Sequence, residues 1–283
     1  MTASKFWRLF WRRGPAILYI ALVAFFALFP FYWMIITSFK PSNEIFANPP
    51  SLLPKHFYFD AYWNLLFAPE SEFPRYMLNS FIVASSTALL TGLCAALAAY
   101  SFSKFRFRGN KPLSFFLFLT QLFPQAVILV PLFIVFRNLK LYDTYGALIL
   151  ANMVFAVPVS IWLMIGFYDS IPSELIDAGL IDGCTRISVL FRIILPLSVN
   201  GLVATVMYIF IGTWSELLFA VTFTTNRDVR TLPLALSYFI GQYTTDWAGL
   251  LAASTLTALP VAVIFLLLQR YFVAGMTAGA MKG

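Results

Sequence analysis

The sequence predicts an all-α membrane protein: six transmembrane helices, with a cytoplasmic helix-turn-helix loop between the fourth and the fifth. Three observations carry that prediction. The 283 residues are 60% hydrophobic and only 11% charged, with a mean hydropathy of +0.82. Soluble domains carry about 25% charged residues, so this chain has too little polar surface for water. Six apolar runs reach the roughly 20 residues that a helix needs to cross a bilayer core. Lysine and arginine, in turn, gather at alternate ends of those runs, as membrane topology requires.

In chain order the runs are 16–37, 79–101, 113–137, 146–168, 200–222 and 248–270. Residues 1–15 read as a cytoplasmic N-terminal segment and 16–283 as one six-span domain. The first run is too long for a signal-peptide core and has no small-residue cleavage pattern, so it reads as the first span. The outer loop 38–78 has a short aromatic helix candidate over 59–67 but no length for a separate domain. Pro124, Pro131, Pro158 and Pro260 fall inside spans. Neighbouring helices can satisfy the carbonyls that proline frees, so each predicts a kink. No internal repeat is visible, which leaves the inverted-repeat architecture of many secondary transporters without support.

The basic residues orient the chain. Lys5, Arg8, Arg12, Arg13, Lys104, Arg106, Arg108, Lys111, Arg186, Arg192, Arg270 and Lys282 fall on one side. Lys40, Lys55, Arg75, Arg137, Lys140, Arg227 and Arg230 fall on the other. The richer side is cytoplasmic, which places both termini and the stretch 169–199 there. The net charge of +7 follows this topology and points to no nucleic acid. Cys94 and Cys184 lie in separate regions and predict neither a disulfide nor a metal site, and the single histidine, His56, excludes a histidine-rich centre.

The polar stretch 171–196 stands out. Pro172 and Ser173 suit a helix start, with Glu174 in the first turn. That helix runs to about Asp182, and Gly183 ends it as a C′ glycine. A second helix starts near Thr185, with Ile187, Leu190, Phe191 and Ile194 on one stripe. Arg186 and Arg192 lie off the stripe, free to reach headgroups or a partner, and Pro196 breaks the helix before the fifth span. The pattern describes an elbow on the membrane surface. It is either a plain amphipathic link between spans or a surface gripped by a soluble partner.

A resemblance bears on that choice. Asp177-Ala178-Gly179, three residues, Gly183, nine residues and Ile193-Ile194-Leu195-Pro196 resemble the Glu-Ala-Ala, Gly, Ile-x-Leu-Pro signature of permease subunits in ATP-binding-cassette (ABC) importers. Asp177 replaces the glutamate and Gly179 an alanine; glycine there weakens the helix by roughly 1 kcal/mol. Thr37-Ser38-Phe39-Lys40-Pro41, Asn79-Ser80, residues 104–109, Leu141-Tyr142-Asp143-Thr144, residues 214–220 and the tail 275–283 are similar to carbohydrate permeases of the maltose/oligosaccharide type. The resemblance covers nearly the whole chain. It implies the transmembrane domain of a type I ABC importer for a sugar, in the cytoplasmic (inner) membrane. The implied partners are a second homologous permease, two ATPase subunits and an extracytoplasmic binding protein. It also implies that Glu174, Asp177, Ala178, Gly179, Asp182, Gly183, Arg186 and Pro196 couple this chain to the ATPase. Gly275 and Gly279 form a Gly-x-x-x-Gly past the last span, which reads less as a membrane dimer motif than as a flexible tail touching the ATPases.

The chain has no Gly-x-x-x-x-Gly-Lys-Ser/Thr loop. It is therefore expected to hold no cofactor, with ATP and magnesium on the partner subunits. Polar groups inside spans are costly and mark a path. Gln121, Gln125, Asn152, Tyr208 and Glu216 are the candidates. The plainer roles are interhelical hydrogen bonds for Gln121, Gln125 and Asn152. For Glu216 the alternative is an interfacial contact, since it lies 16 residues beyond Asn200, roughly 24 Å up a continuous helix. An ion-coupled carrier would need carboxylates at mid-membrane, and a membrane enzyme a polar catalytic cluster; the spans supply neither. Glycerol phosphate or another polar solute remains the alternative cargo.

Overall fold

The computed structural model describes residues 3–241 and 244–280, with side chains over 14–241 and 244–271. The elements in order are α1 (Ala3–Ser38), α2 (Ser42–Ile45), α3 (Asp60–Phe67), α4 (Phe73–Lys104), α5 (Asn110–Thr120), α6 (Gln125–Asn138) and α7 (Tyr145–Asp169). There follow α8 (Ser173–Ile181), α9 (Arg186–Val189), a π-helical turn (Leu190–Ile194), α10 (Leu195–Leu197), α11 (Val199–Trp214), α12 (Leu218–Phe223), a 3₁₀ turn (Arg227–Val229), α13 (Leu232–Ser237) and α14 (Trp247–Ala280). Among the described residues the only extended pairing is a lone bridge, Ile240 to Thr245.

Among the described residues, four helices are long and apolar enough to cross a membrane: Gly14–Ser38, Phe73–Lys104, Tyr145–Asp169 and Trp247–Tyr271. The other two runs depart from the expected single spans. Asn110–Thr120 and Gln125–Asn138 meet at 97°, and Arg186–Leu197 and Val199–Trp214 meet at 80°. With each bent pair counted as one, six spans result. Pro124 is not a mild kink but the residue that leads into α6. It has no N–H to donate and pushes its predecessor out of helical geometry. Pro131, Pro158 and Pro260, by contrast, stay inside continuous helices. The fifth run, 200–222, is also not one helix: α11 stops at Trp214 and α12 begins at Leu218. The N-terminal segment is helical from Ala3, and α14 stays helical through Gly275 and Gly279 to Ala280, where a flexible tail was expected. Residues 281–283 and the side chains of 272–283 lie outside the described residues, and with them the tail's contact to an ATPase.

Contacts divide the chain into two units, 1–71 with 238–258 and 72–237 with 259–283. In the first, Lys40 is only 2% exposed. Its ammonium donates to the Ser51 carbonyl at 2.5 Å and lies 4.7 Å from the centre of the Trp33 ring. Burial of a cation is tolerated only with such partners. Ser38 and Tyr62 share a hydrogen bond of 2.5 Å, and Phe39 packs on Phe57, Phe59 and Tyr62. The Ser51 hydroxyl, aided by the Lys55 N–H, holds the Glu44 carboxyl below the usual range. These contacts give Ser38, Phe39 and Lys40 a structural job.

The second unit is built on α4. Its buried face carries Ala84, Thr87, Ala88, Thr91, Ala95 and Ala99, and it packs chiefly on α7 and α11. Apolar helices gain no hydrophobic drive from meeting in lipid, so small residues that let backbones approach supply the packing. At Gly92 an added Cβ would stand 2.8 Å from Val206 Cγ2.

The candidate coupling elbow and the cavity

Helix α8 starts where Pro172 turns the chain out of α7, and it ends as the sequence requires. Gly183 sits at φ +84°. Its N–H donates to Leu180 O at 3.1 Å, and the Cys184 N–H reaches Gly179 O at 2.9 Å. This 5→2 and 6→1 pair is the Schellman termination, which favours glycine at the left-handed position. Thr185 then caps the second arm, its hydroxyl accepting from the Ser188 N–H at 3.2 Å. Replacing Gly183 with valine is expected to cost about 1–2 kcal/mol of left-handed strain. Hydrogen exchange checks this: the Cys184 amide should lose protection while the amides of α4 keep theirs.

The second arm corrects the predicted stripe. Val189, Leu190 and Ile194 are buried, whereas Ile187 is 70% and Phe191 50% exposed. The cause is the π turn: the Leu195 N–H donates to Leu190 O, five residues back. The wider turn brings residues 189, 190 and 194 to one face. It also accommodates Pro196, which has no N–H for the carbonyl one α-turn back. Pro196 therefore does not break the helix. The bend falls at Ser198, whose hydroxyl donates to Ile194 O at 2.7 Å.

The arm is anchored to α4 and α7. Leu190 and Ile194 pack among Ala99, Tyr100, Met164 and Tyr168. The Tyr100 hydroxyl donates to Arg186 O at 3.1 Å, and the Lys104 ammonium to Ile171 O at 2.8 Å. The Arg186 guanidinium, expected to reach outward, lies 4.8 Å over the Phe105 ring. Arg192 is exposed.

Helix α8 itself faces two ways. Gly179 is buried against the second arm, where an added Cβ would meet Ile193 Cδ1 at 2.6 Å. Gly179 is thus part of the elbow's own packing. Glu174, Asp177, Ala178 and Ile181 are exposed and follow one another at i, i+3, i+4 and i+7. Asp182 is exposed at the tip, and no salt bridge joins Glu174, Asp177 or Asp182 to the described residues. Ile181, 85% exposed, is the one large apolar side chain on that stripe. Sequence reasoning missed it, although it lies one helical turn beyond Asp177 and Ala178.

The five polar candidates of the spans, Gln121, Gln125, Asn152, Tyr208 and Glu216, all line one cavity of about 810 Å³. The break between α5 and α6 sets Gln121 and Gln125 on either side of Pro124. The Gln121 amide donates to Phe155 O at 3.3 Å, and that of Asn152 to Leu148 O at 2.8 Å. Glu216 is not high on a continuous helix. It occupies the break between α11 and α12, where its carboxylate accepts from the N–H groups of Phe219 at 2.8 Å and Ala220 at 3.4 Å. The carboxylate satisfies donors that a helix start leaves open. Phe155, Met207 and Phe265 supply apolar wall. The lining holds one carboxylate and no lysine, arginine or histidine.

Comparison with known proteins agrees with this arrangement. Residues 88–278 match the family of binding-protein-dependent transport system inner membrane components. The trehalose/maltose transport system permease protein MalG of Thermococcus litoralis is 36% identical over 263 residues, covering 93% of this chain and 94% of that protein. The diacetylchitobiose uptake system permease protein DasC of Streptomyces coelicolor is 32% identical over 284 residues, the whole of both chains. The galactooligosaccharides transport system permease protein GanQ of Bacillus subtilis is 35% identical, with 94% of each chain covered. A chain from the crystal structure of a bacterial ABC transporter that imports alginate shares the fold, with a TM-score of 0.77 at 20% identity over 96% of this chain and 99% of that one. With its bent spans, elbow and polar-lined cavity, the chain belongs to the family of binding-protein-dependent transport system inner membrane components, the transport subunits of ABC importers.

Proposed function

We propose that this chain forms half of the membrane path of an ATP-driven sugar importer, with a neutral di- or oligosaccharide as cargo. One observation supports the coupling role above the others. The exposed stripe of α8 continues, through an arm buried among α4 and α7, into the helix that lines the cavity. A push on Asp177, Ala178 and Ile181 has a packed route to α11. Of the two ATPase subunits, which carry ATP and magnesium, one would grip α8, while this chain needs no cofactor. A second permease would complete the path, and an extracytoplasmic binding protein would deliver the solute. Rocking between two packings then gives alternating access. Both termini and the elbow lie on the cytoplasmic side in this reading, in keeping with the basic residues.

The cavity supports a sugar. Amide, phenol and carboxylate groups can exchange hydrogen bonds with hydroxyls, while aromatic walls suit the apolar faces of a ring. The names of relatives, MalG, DasC and GanQ, point to saccharides. Glycerol phosphate fits less well, because the lining offers a carboxylate and no cation to meet a phosphate. Calorimetry on the cognate binding protein with a panel of sugars, glycerol phosphate and amino acids checks the cargo. A neutral saccharide should bind at micromolar or tighter; binding of glycerol phosphate or an amino acid alone would refute the sugar assignment.

A further inference from the structure

At the end of α4 away from the elbow, stretches noted in the sequence meet in one hydrogen-bonded clasp. Asn79 and Ser80 are 1% and 2% exposed. The Asn79 amide donates to two carbonyls of a single loop, Asp228 O at 2.9 Å and Arg230 O at 2.8 Å, while its oxygen accepts from the Tyr145 hydroxyl at 2.6 Å. These partners fix which way the amide points and fill both its donors. Ser80 Oγ accepts from the Leu232 N–H at 2.8 Å. Asp143, in the left-handed region at φ +64°, accepts from the N–H groups of Thr225 at 2.8 Å and Asn226 at 2.9 Å, and its own N–H donates to Phe223 O at 3.0 Å. Segment 223–232 is thus pinned both to the start of α4 and to the turn before α7.

The pinned segment continues directly from α12. Helix α12 sets Phe219 and Phe223 against Val83, Phe136, Leu148 and Ala151, and Glu216, a cavity wall, caps its first turn. Val83 is one turn along α4 from Asn79. The clasp and this apolar cluster therefore hold α12 from two directions. The Tyr142–Thr225 hydroxyl pair, 2.5 Å apart, adds a further bond between this segment and the turn before α7.

We propose that Asn79 and Asp143 are positioning residues for transport: they clasp segment 223–232 and so fix α12 and the Glu216 side of the cavity while the elbow, at the opposite end of α4, is driven. The inference rests on the importer reading. A loosened clasp lets the cavity wall yield during the stroke, so ATP is spent without moving solute. The test uses the whole transporter, with its ATPases and binding protein, in proteoliposomes, and reads ATP hydrolysed per solute imported. Asn79→Ala and Asp143→Ala should raise that ratio about five- to tenfold and Tyr145→Phe about twofold, because each leaves buried or strained partners unpaired in proportion to the bonds lost. Assembly and hydrolysis without solute should stay near wild type. An unchanged ratio in assembled variants overturns the proposal. So does failure of even Tyr145→Phe to assemble, which would make the clasp a folding element only. Absence of ATP-driven uptake by the wild type would refute the importer reading instead.

Discussion

Replacing Asp177 with arginine is expected to abolish ATP-driven uptake while leaving the chain folded. Asp177 is exposed and has no ion-pair partner among the described residues, so its loss costs the chain's own stability little. With Glu174 and Asp182 it makes the outer side of α8 anionic, and the proposed groove on the ATPase should be correspondingly basic. Losing a desolvated charge pair at an interface costs about 2–5 kcal/mol, which is roughly thirtyfold or more in affinity. Titration of the ATPase onto the chain in nanodiscs checks this, with the thermal midpoint of the chain as the control. Ile181→Ser should weaken docking by a smaller factor, on the order of tenfold, since burying one aliphatic side chain is worth about 1.5–3 kcal/mol. Equal affinity in both variants would remove α8 from the interface.

The second large effect lies inside the membrane. Gly201 sits where α11 crosses α7, and an added Cβ would stand 2.2 Å from Phe167 Cγ. That atom is the root of a ring, so it clears the new methyl only if the whole ring swings about χ1 or the helices separate, and neither is cheap at a packed crossing. Gly179 has a comparable nominal clash, 2.6 Å, but with Cδ1 of Ile193, the far end of a flexible side chain. The neighbour's freedom, not the distance, decides the outcome. Gly201→Ala is expected to cost about 1–3 kcal/mol, and Gly201→Leu more, while Gly179→Ala should be nearly neutral. Thermal denaturation of the purified chain and recovery of the assembled complex provide the measurement. Gly201 follows the Ser198 bend closely, so partial separation should also impair transmission from elbow to cavity.

How much of this was legible in the sequence depends on the range of the forces involved. Span positions and the elbow's glycine were readable because they rest on local composition and on the left-handed φ that Gly183 adopts. The cavity's polar groups were readable because polar side chains are costly in lipid, and all five line one space. Their geometry was not. Glu216 was placed by assuming a continuous helix, and the break before α12 is held partly by its own carboxylate. The stripe of the second arm failed for a similar reason, since a π turn shifts the register that 3.6-residue periodicity assumes. Arg186 read as outward-facing because sequence does not show the Phe105 ring waiting beneath it. The clasp was out of reach altogether: its bonds join residues 66 positions apart, as in Asn79 to Tyr145, and up to 152 apart, as in Ser80 to Leu232.

ATP hydrolysis is proposed to reach the membrane path through the exposed face of α8. Thiol cross-linking from Ile181→Cys, with Cys94 and Cys184 replaced by serine, tests it most directly in membranes that hold the active transporter. A covalent adduct between this chain and the ATPase subunit is expected, with uptake blocked once the link forms. Uptake that continues normally with no adduct from position 181, in membranes where both proteins are present, would contradict it.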